Sequence, residues 1–330
     1  MTISDTLPPA PGPSAPGVPI VTLTVNPALD VSTATPQVVS EHKLRCGPSR
    51  LDPGGGGVNV ARVIHRLGGQ VIAIYAVGGL TGGMYRQLLE AESLPTLSVP
   101  ISGTTRESFT VDEAKTGEQF RFVLQGPELS EPEWQACLAA LERSVPRGGY
   151  VVASGSLPPG VPVDFYARAA RIAHANDARC VVDASGDALA AALDEGVFLV
   201  KPSRRELGEL IGQSLDTPKA QVDAAQELVA RGASQLVALT LGGSGAVLAS
   251  GEDVLRLATP MVQVQSTVGA GDSFLGAFVL RMSEGRTLAD SFRWAVAAGS
   301  ATAMTPGTDL CYPADVERLE AQLAAQAANP

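Results

Sequence analysis

The chain is short of the residues that most often build metal centres and covalent staples. Its 330 residues include 4 cysteines and 3 histidines. Cys46, Cys137, Cys180 and Cys311 lie far apart with no C-x-x-C pair, which argues against a zinc site or a disulfide framework and for buried, reduced thiols. His42, His65 and His174 are equally scattered and read as surface or packing residues. No Lys or Arg precedes Lys43, so the positive start of a signal peptide is missing. No run approaches the ~18 uninterrupted apolar residues of a membrane helix. A cytoplasmic protein is expected. Positive charge is in deficit too: 24 Lys and Arg against 34 Asp and Glu give a formal net charge of −10. The whole-molecule field therefore repels nucleic acid and anionic membranes, and an anionic ligand would need a local basic pocket.

Apolar side chains are plentiful, at 45% of the sequence, enough for a full core in one large α/β domain or two small ones. The opening, residues 1–19, carries six prolines and reads as a disordered tail outside the fold. Residues 20–330 then alternate short β-branched runs with helical spacing. "IVTLTV" is followed by Val60, Val63, Ile64 and Leu67 at i, i+3, i+4, i+7, and then by "VIAIYAVGG". "YVVASGS", "CVVDAS", "VFLVKPS" and "QLVALTLGG" continue as buried strands beside helical stretches such as "VDFYARAARIAHA". This rhythm predicts an α/β protein with a mostly parallel central sheet covered by helices on both faces, and ligands at the strand C-termini. Residues 30–52 and 98–125 break the rhythm: they alternate polar with apolar residues and are expected to form a small separate β-sheet, a lid.

Three glycine-rich loops stand out. "VGAGDSFLGAF" places Gly269, Ala270 and Gly271 before a helix expected to start near Gly271 or Asp272. Bare amides at a helix N-terminus can cradle an anion, and Asp272 beside them is read either as a helix cap or as a catalytic carboxylate. In the second role it is expected to stay ionised at pH 7, with a depressed pKa, and to take a proton from a substrate hydroxyl. "DPGGGGVNVARVIHRLGG" is a flexible linker or a surface on which a sugar lies against main chain, with the Asn59 amide bonding a hydroxyl. "TLGGSGAVLAS" is a hairpin turn or a loop passing close to a nucleotide phosphate tail.

"TLTVNPALD", "PGGGGVNVAR", "SGSLPPG", "VKPSRRE", "TLGGSGA", "STVGAGDSF" and "AAGSATA…GTDLC" occur in the order and spacing of the ribokinase-like (PfkB) carbohydrate kinases, which the chain resembles from Ile20 onward. "KLRC", "GGGG" and the "GT-x-LC" tail are most similar to the minor-type ATP-dependent 6-phosphofructokinases of bacteria. The resemblance implies a three-layer α/β/α domain with a β lid that pairs two subunits as a homodimer. It also implies phosphoryl transfer from MgATP to the 1-hydroxyl of fructose 6-phosphate, in glycolysis. Asp272 matches the general base, and Gly269, Ala270 and Gly271 the anion hole. Asp30, Gly55 and Asn59 match sugar contacts; Lys43, Arg45, Arg106, Arg121 and Ser156 match positions around the sugar phosphate. Lys201, Ser203, Thr240, Gly242, Gly245 and Ser300 match nucleotide contacts, and Glu206 the acidic residue associated with magnesium. Ser203 departs from the usual Asn, offering an oxygen at shorter reach. Ser266, Val268, Thr302, Thr305 and Gly307 match a loop pair that binds potassium in similar enzymes, while Asp309 departs from the Arg usual there.

Tagatose-6-phosphate kinase and 1-phosphofructokinase activity need the same machinery and are the nearest alternatives. A regulatory sugar-binding protein on this scaffold should show decay at the anion hole, which is intact here. A nucleoside kinase would have no use for the basic residues of the lid.

Overall fold

The computed structural model describes residues 17–251 and 253–328. The tail expected over residues 1–19 lies outside them up to residue 16, and Gly17–Pro19 lead without regular structure into the first strand. Among the described residues the strands form two sheets. The larger runs in spatial order β13 (Val254–Leu257), β12 (Ala246–Ala249), β11 (Ser234–Thr240), β10 (Val197–Val200), β9 (Arg179–Asp183), β8 (Tyr150–Ser154), β1 (Ile20–Thr24), β4 (Val71–Val77), β5 (Thr96–Pro100). From β11 to β5 every pairing is parallel; β12 and β13 add an antiparallel edge.

Side-chain alternation divides the core between the two faces of this sheet, as period-two geometry requires. In β4, Val71, Ala73, Tyr75 and Val77 point to one face, and Ile74 and Ala76 to the other. The first face is covered by α1 (Gly56–Arg66), α2 (Gly79–Ala91), α8 (Ala270–Ser283), α9 (Leu288–Ala303) and α10 (Pro313–Ala328), where Phe274, Phe278 and Phe292 pack edge to face. The second is covered by α3 (Glu131–Ser144), α4 (Phe165–Ala175), α5 (Gly186–Glu195), α6 (Arg204–Ile211) and α7 (Pro218–Ala230). In α1 the expected Val60, Val63 and Ile64 are buried, while Leu67 is the C-cap residue and only partly buried. Helices on both faces of the sheet make the three-layer α/β/α arrangement that the resemblance implies.

The smaller sheet has the order β3 (Arg50–Gly54), β2 (Ala28–Thr35), β6 (Arg106–Glu113), β7 (Gln119–Val123). Pro100 and its neighbours back to Thr96 pair with β4 instead, so residues 98–100 of the segment expected in the lid belong to the main sheet. The polar–apolar alternation of "TLSVP" is that of an edge strand with one buried face: Leu97 and Val99 pack on the core of the second sheet face, so alternation alone did not separate this strand from the lid. β1 runs directly into β2, and β3 directly into α1, so the small sheet hangs over the C-terminal ends of β1, β4 and β8. Of the cysteines, Cys46 is exposed on the loop between β2 and β3, contrary to the expectation of four buried thiols; the other three are buried.

Candidate active site

The start of α8 is a piece of bare main chain. It begins at Ala270, a residue before the expected start, because Gly269 takes the left-handed conformation at φ +75° and turns the chain into the helix. A side chain at Gly269 would also meet Leu310 at 2.7 Å. The first amides of the helix lack intrahelical partners, and its dipole places partial positive charge there.

Two cavities meet at this point. Gly269 and Asp272 line one of about 280 Å3, while Ala270 and Gly271 line another of about 710 Å3. Successive residues of one helical turn therefore face two chambers. The smaller is polar, with Asp30, Ser154, Ser156, Asp183, Arg106 and Arg121 in its wall. The larger is walled by Phe274, Val262, Val264 and Val296 and floored by the β11–β12 turn.

Asp272 sits at the base of the smaller cavity, accepting a hydrogen bond from Asn59 Nδ2 at 2.8 Å. Burial pushes its carboxyl up to about 7, aided by the Asp183 charge and opposed by Asn59 and Lys201. The expected depression by the helix dipole is overturned: desolvation with a like charge nearby outweighs it. Asn59, expected to bond a sugar hydroxyl, gives that amide to Asp272. The glycine run is no flexible linker either. A Cβ at Gly54 would fall 2.0 Å from Asp30 Oδ2, one at Gly56 2.3 Å from Ser154 Oγ, and one at Gly57 2.5 Å from Thr24 Oγ1. Close packing against the chain's own strand ends demands these glycines, and Gly55 and Gly56 present main chain to the cavity. Across it, burial raises the Asp30 carboxyl to about 6 despite Arg106 and Arg121.

Lys201 was expected to contact nucleotide, yet it does not line the larger cavity. Its Nζ pairs with Asp183 Oδ1 at 3.1 Å beneath the helix start, 3.3 Å from where a Gly271 Cβ would stand. Burial works against its charge, but Asp183 and Asp272 more than offset that and raise its pKa. Ser203, Thr240, Gly242, Gly245 and Ser300 do line the larger cavity. "TLGGSGA" is thus both a hairpin turn, with a single 3₁₀ turn at Gly242–Ser244, and cavity wall. Ser203 and Glu206 form a capping box: Ser203 N–H donates to Glu206 Oε2 at 2.7 Å, and Glu206 N–H to Ser203 Oγ at 3.2 Å. Glu206 still faces the smaller cavity. Among the described residues no three His, Cys, Asp or Glu side chains converge as a metal cage.

The loops holding Ser266, Val268, Thr302, Thr305 and Gly307 are brought together: Ser266 Oγ donates to the Gly307 carbonyl at 2.6 Å, and Thr305 Oγ1 bonds the Thr302 and Asp309 carbonyls at 2.8 Å. The Asp309 side chain turns away to Arg50, Arg66 and Tyr312, which compensates for the departure from Arg noted in the sequence. Lys43 and Arg45 are not brought to the site; they are exposed on the loop after β2 and line neither cavity. Sequence reading missed Asp183, Asn26 and Thr308. An acid at the C-terminal end of a buried strand was the available signal for Asp183; Asn26 sat inside a quoted motif without a role. Thr308 donates to Asp52 Oδ2 at 2.8 Å, tying β3 to the loop before α10.

Residues 24–315 match the family described as pfkB family carbohydrate kinase. The ATP-dependent 6-phosphofructokinase isozyme 2 of Mycobacterium tuberculosis is 45% identical over 91% of this chain and 88% of its own length. The 1-phosphofructokinase of Bacillus subtilis is 33% identical over 87% and 93%. Escherichia coli phosphofructokinase-2 in complex with fructose-6-phosphate superposes with a TM-score of 0.88 at 40% identity, covering 93% of this chain and 99% of that one. Solved structures of the same enzyme with potassium and in a tetrameric inhibited form give 0.89 and 0.88, each covering 93% of this chain and 99% of that one, at 42% and 41% identity. With the two-chambered helix terminus and a match over nearly the whole fold, the chain belongs to the pfkB family of carbohydrate kinases.

Proposed function

We propose that this kinase transfers the γ-phosphoryl group of ATP to the 1-hydroxyl of fructose 6-phosphate, giving fructose 1,6-bisphosphate. One observation carries the reading: adjacent residues of the α8 N-terminus line two separate chambers, so a phosphoryl group can pass from a donor in one to an acceptor in the other across the same amides. Asp272, with a pKa of about 7, is matched to accept the hydroxyl proton at neutral pH. Arg106 and Arg121 supply the local positive charge that a chain of net charge −10 needs to hold a phosphosugar. The names of the M. tuberculosis and E. coli relatives favour fructose 6-phosphate; that of the B. subtilis relative favours fructose 1-phosphate as the second reading.

Magnesium bound with ATP would supply charge neutralisation on the migrating phosphoryl group. Glu206 on the cavity wall fits such a role through water, since Mg2+ keeps most of its hydration and needs no all-protein cage. The paired loops around Ser266 and Gly307 offer carbonyl oxygens suited to K+, in line with the potassium complex of the E. coli enzyme. Exposed Phe122 and Val123 on the lid edge, with Lys43 and Arg45 on a nearby loop, suit a homodimer in which those cations reach the partner's site. Among the described residues no helix is long and apolar enough to cross a membrane, which accords with action in the cytoplasm. A coupled assay with MgATP and a panel of fructose 6-phosphate, fructose 1-phosphate and tagatose 6-phosphate tests the reading. The highest kcat/KM is expected for fructose 6-phosphate; a preference for fructose 1-phosphate overturns the substrate, and no turnover on any overturns the reaction.

A further inference from the structure

The smaller cavity continues past Arg106, Gly155 and Ser156 into a side chamber of about 630 Å3, walled largely by Leu124, Leu157, Pro158 and Val161. The junction is where cation and hydroxyl stand together, and both are held by one residue. Asn26, two residues past the end of β1, is 8% exposed. Its Nδ2 donates to Ser156 Oγ at 3.0 Å, and its backbone carbonyl accepts from Arg106 Nη2 at 3.1 Å. Among the described residues Arg106 otherwise bonds only the Leu124 carbonyl and Ser108 Oγ, all neutral acceptors, and its Nε is buried without a partner. Among the described residues the cation makes no ion pair and feels the Asp30 charge only across the cavity, so its guanidinium is available to an incoming anion.

The Asn26 side chain is itself incompletely bonded. Its Oδ1 is buried without a partner, pressed against Gly126, where a Cβ would fall 2.1 Å away. An unsatisfied buried carbonyl is destabilising, so a small apolar residue would be the more stable occupant. What the amide does make is the bond to Ser156. By filling a lone pair of Ser156 Oγ, it leaves the hydroxyl hydrogen free to be given outward.

We infer that Asn26 is the positioning residue of the substrate's phosphate end: it turns the Ser156 hydroxyl into a donor toward the junction and anchors the Arg106 guanidinium beside it. The inference rests on the phosphosugar reading above. It separates two chemistries at this position. An amide donates to Ser156; a carboxylate can only accept, so it would draw the Ser156 hydrogen inward and set a negative charge beside the phosphate.

Steady-state kinetics of Asn26→Ala and Asn26→Asp, with melting curves to establish folding, test this. Asn26→Ala should raise KM for fructose 6-phosphate about 5- to 20-fold, with kcat falling less than about threefold and KM for ATP unmoved, the scale of a partly lost hydrogen bond to an anion. Asn26→Asp should raise it further. In a Ser156→Ala background, Asn26→Ala should add almost nothing, because the partner it acts through is gone. An unmoved KM in both variants, or parallel changes in kcat and in KM for ATP, would overturn the assignment. Should Asn26→Ala fail to fold, Asn26→Ser and Ser156→Ala carry the test, and an unchanged KM in Ser156→Ala overturns it. Absence of wild-type turnover on every phosphosugar would fell the proposed function and this inference with it; normal wild-type turnover with unmoved variants fells this inference alone.

Discussion

Replacing Asp183 with Asn should move the acidic limb of the kcat/KM profile toward lower pH, and replacing Asn59 with Ala should move it the other way. The Asp272 carboxyl stands at about 7 because burial disfavours its charge and the Asp183 carboxylate adds like-charge repulsion, while the Asn59 hydrogen bond and the Lys201 charge pull it down. If the ionised form is the base, kcat/KM rises with pH and levels above about 7, and at pH 6 about a tenth of the plateau remains. A like charge across a cavity of this size, at an effective dielectric near 20, is worth about 2 kcal/mol, or one to two pKa units. Asp183→Asn should therefore raise the fraction of plateau rate kept at pH 6 at least about fivefold over that of the wild-type enzyme. Asn59→Ala removes a bond to the charged form and should shift the limb upward by about one unit. The phosphosugar's own phosphate, which titrates near pH 6, is common to all three enzymes and cancels in the comparison. Asp183→Asn also strands Lys201, at a cost of about 3–5 kcal/mol, so rates are taken below its melting transition. A limb at the same pH in all three enzymes, or one moving upward in Asp183→Asn, would refute the electrostatic account.

The same shift has a stability consequence. A carboxyl raised from 3.8 to about 7 binds a proton more tightly in the folded state, so stability falls as pH rises between those values. Asp272→Asn should raise Tm at pH 8, by up to about 4 kcal/mol of stability, and hardly at all at pH 4; equal effects at both values would contradict it. Asp309 has the opposite sign. Held down to about 2 by Arg50, Tyr312 and Arg66, against the opposing pull of burial, it contributes stability above pH 4 that disappears as pH falls toward 2. Asp309→Asn should cost about 1–2 kcal/mol at pH 7, with solvent screening at the exposed Arg50 allowed for, and progressively less in acid. Denaturant melts at pH 7 and pH 3 check this, and a cost that does not shrink with acid would count against it.

The parts of this protein legible in its sequence are those set by short-range periodicity and by glycine. Val60, Val63 and Ile64 announce α1, "IVTLTV" announces the buried β1, and "VGAGD" announces a helix opening with bare amides, because each pattern is complete within a few residues. What escaped depends on charges and amides that meet only in the folded chain. The dipole argument gave the wrong sign for the Asp272 pKa because burial in the folded chain disfavours its charge and Asp183, at the end of β9, adds repulsion, neither of which a local pattern encodes. Asn59 lines the cavity where a sugar was expected, but its hydrogen bond to Asp272 was not legible in the sequence, and Asp309 looked like a departure until Arg50 and Arg66 arrived from β3 and α1. "SRRE" held a second meaning from the start, since its spacing is that of a capping box.

The central claim is that the Asp272 carboxylate, set beside amides shared by two chambers, takes the hydroxyl proton as the phosphoryl group moves. The turnover number of Asp272→Asn, measured with saturating MgATP and fructose 6-phosphate, tests it most directly. Loss of about 10²–10⁴-fold in kcat, with KM for both substrates changed only a few-fold, is the predicted result. Turnover close to that of the wild-type enzyme would contradict the claim and leave Asp272 as no more than the hydrogen-bond partner of Asn59 in the first turn of α8.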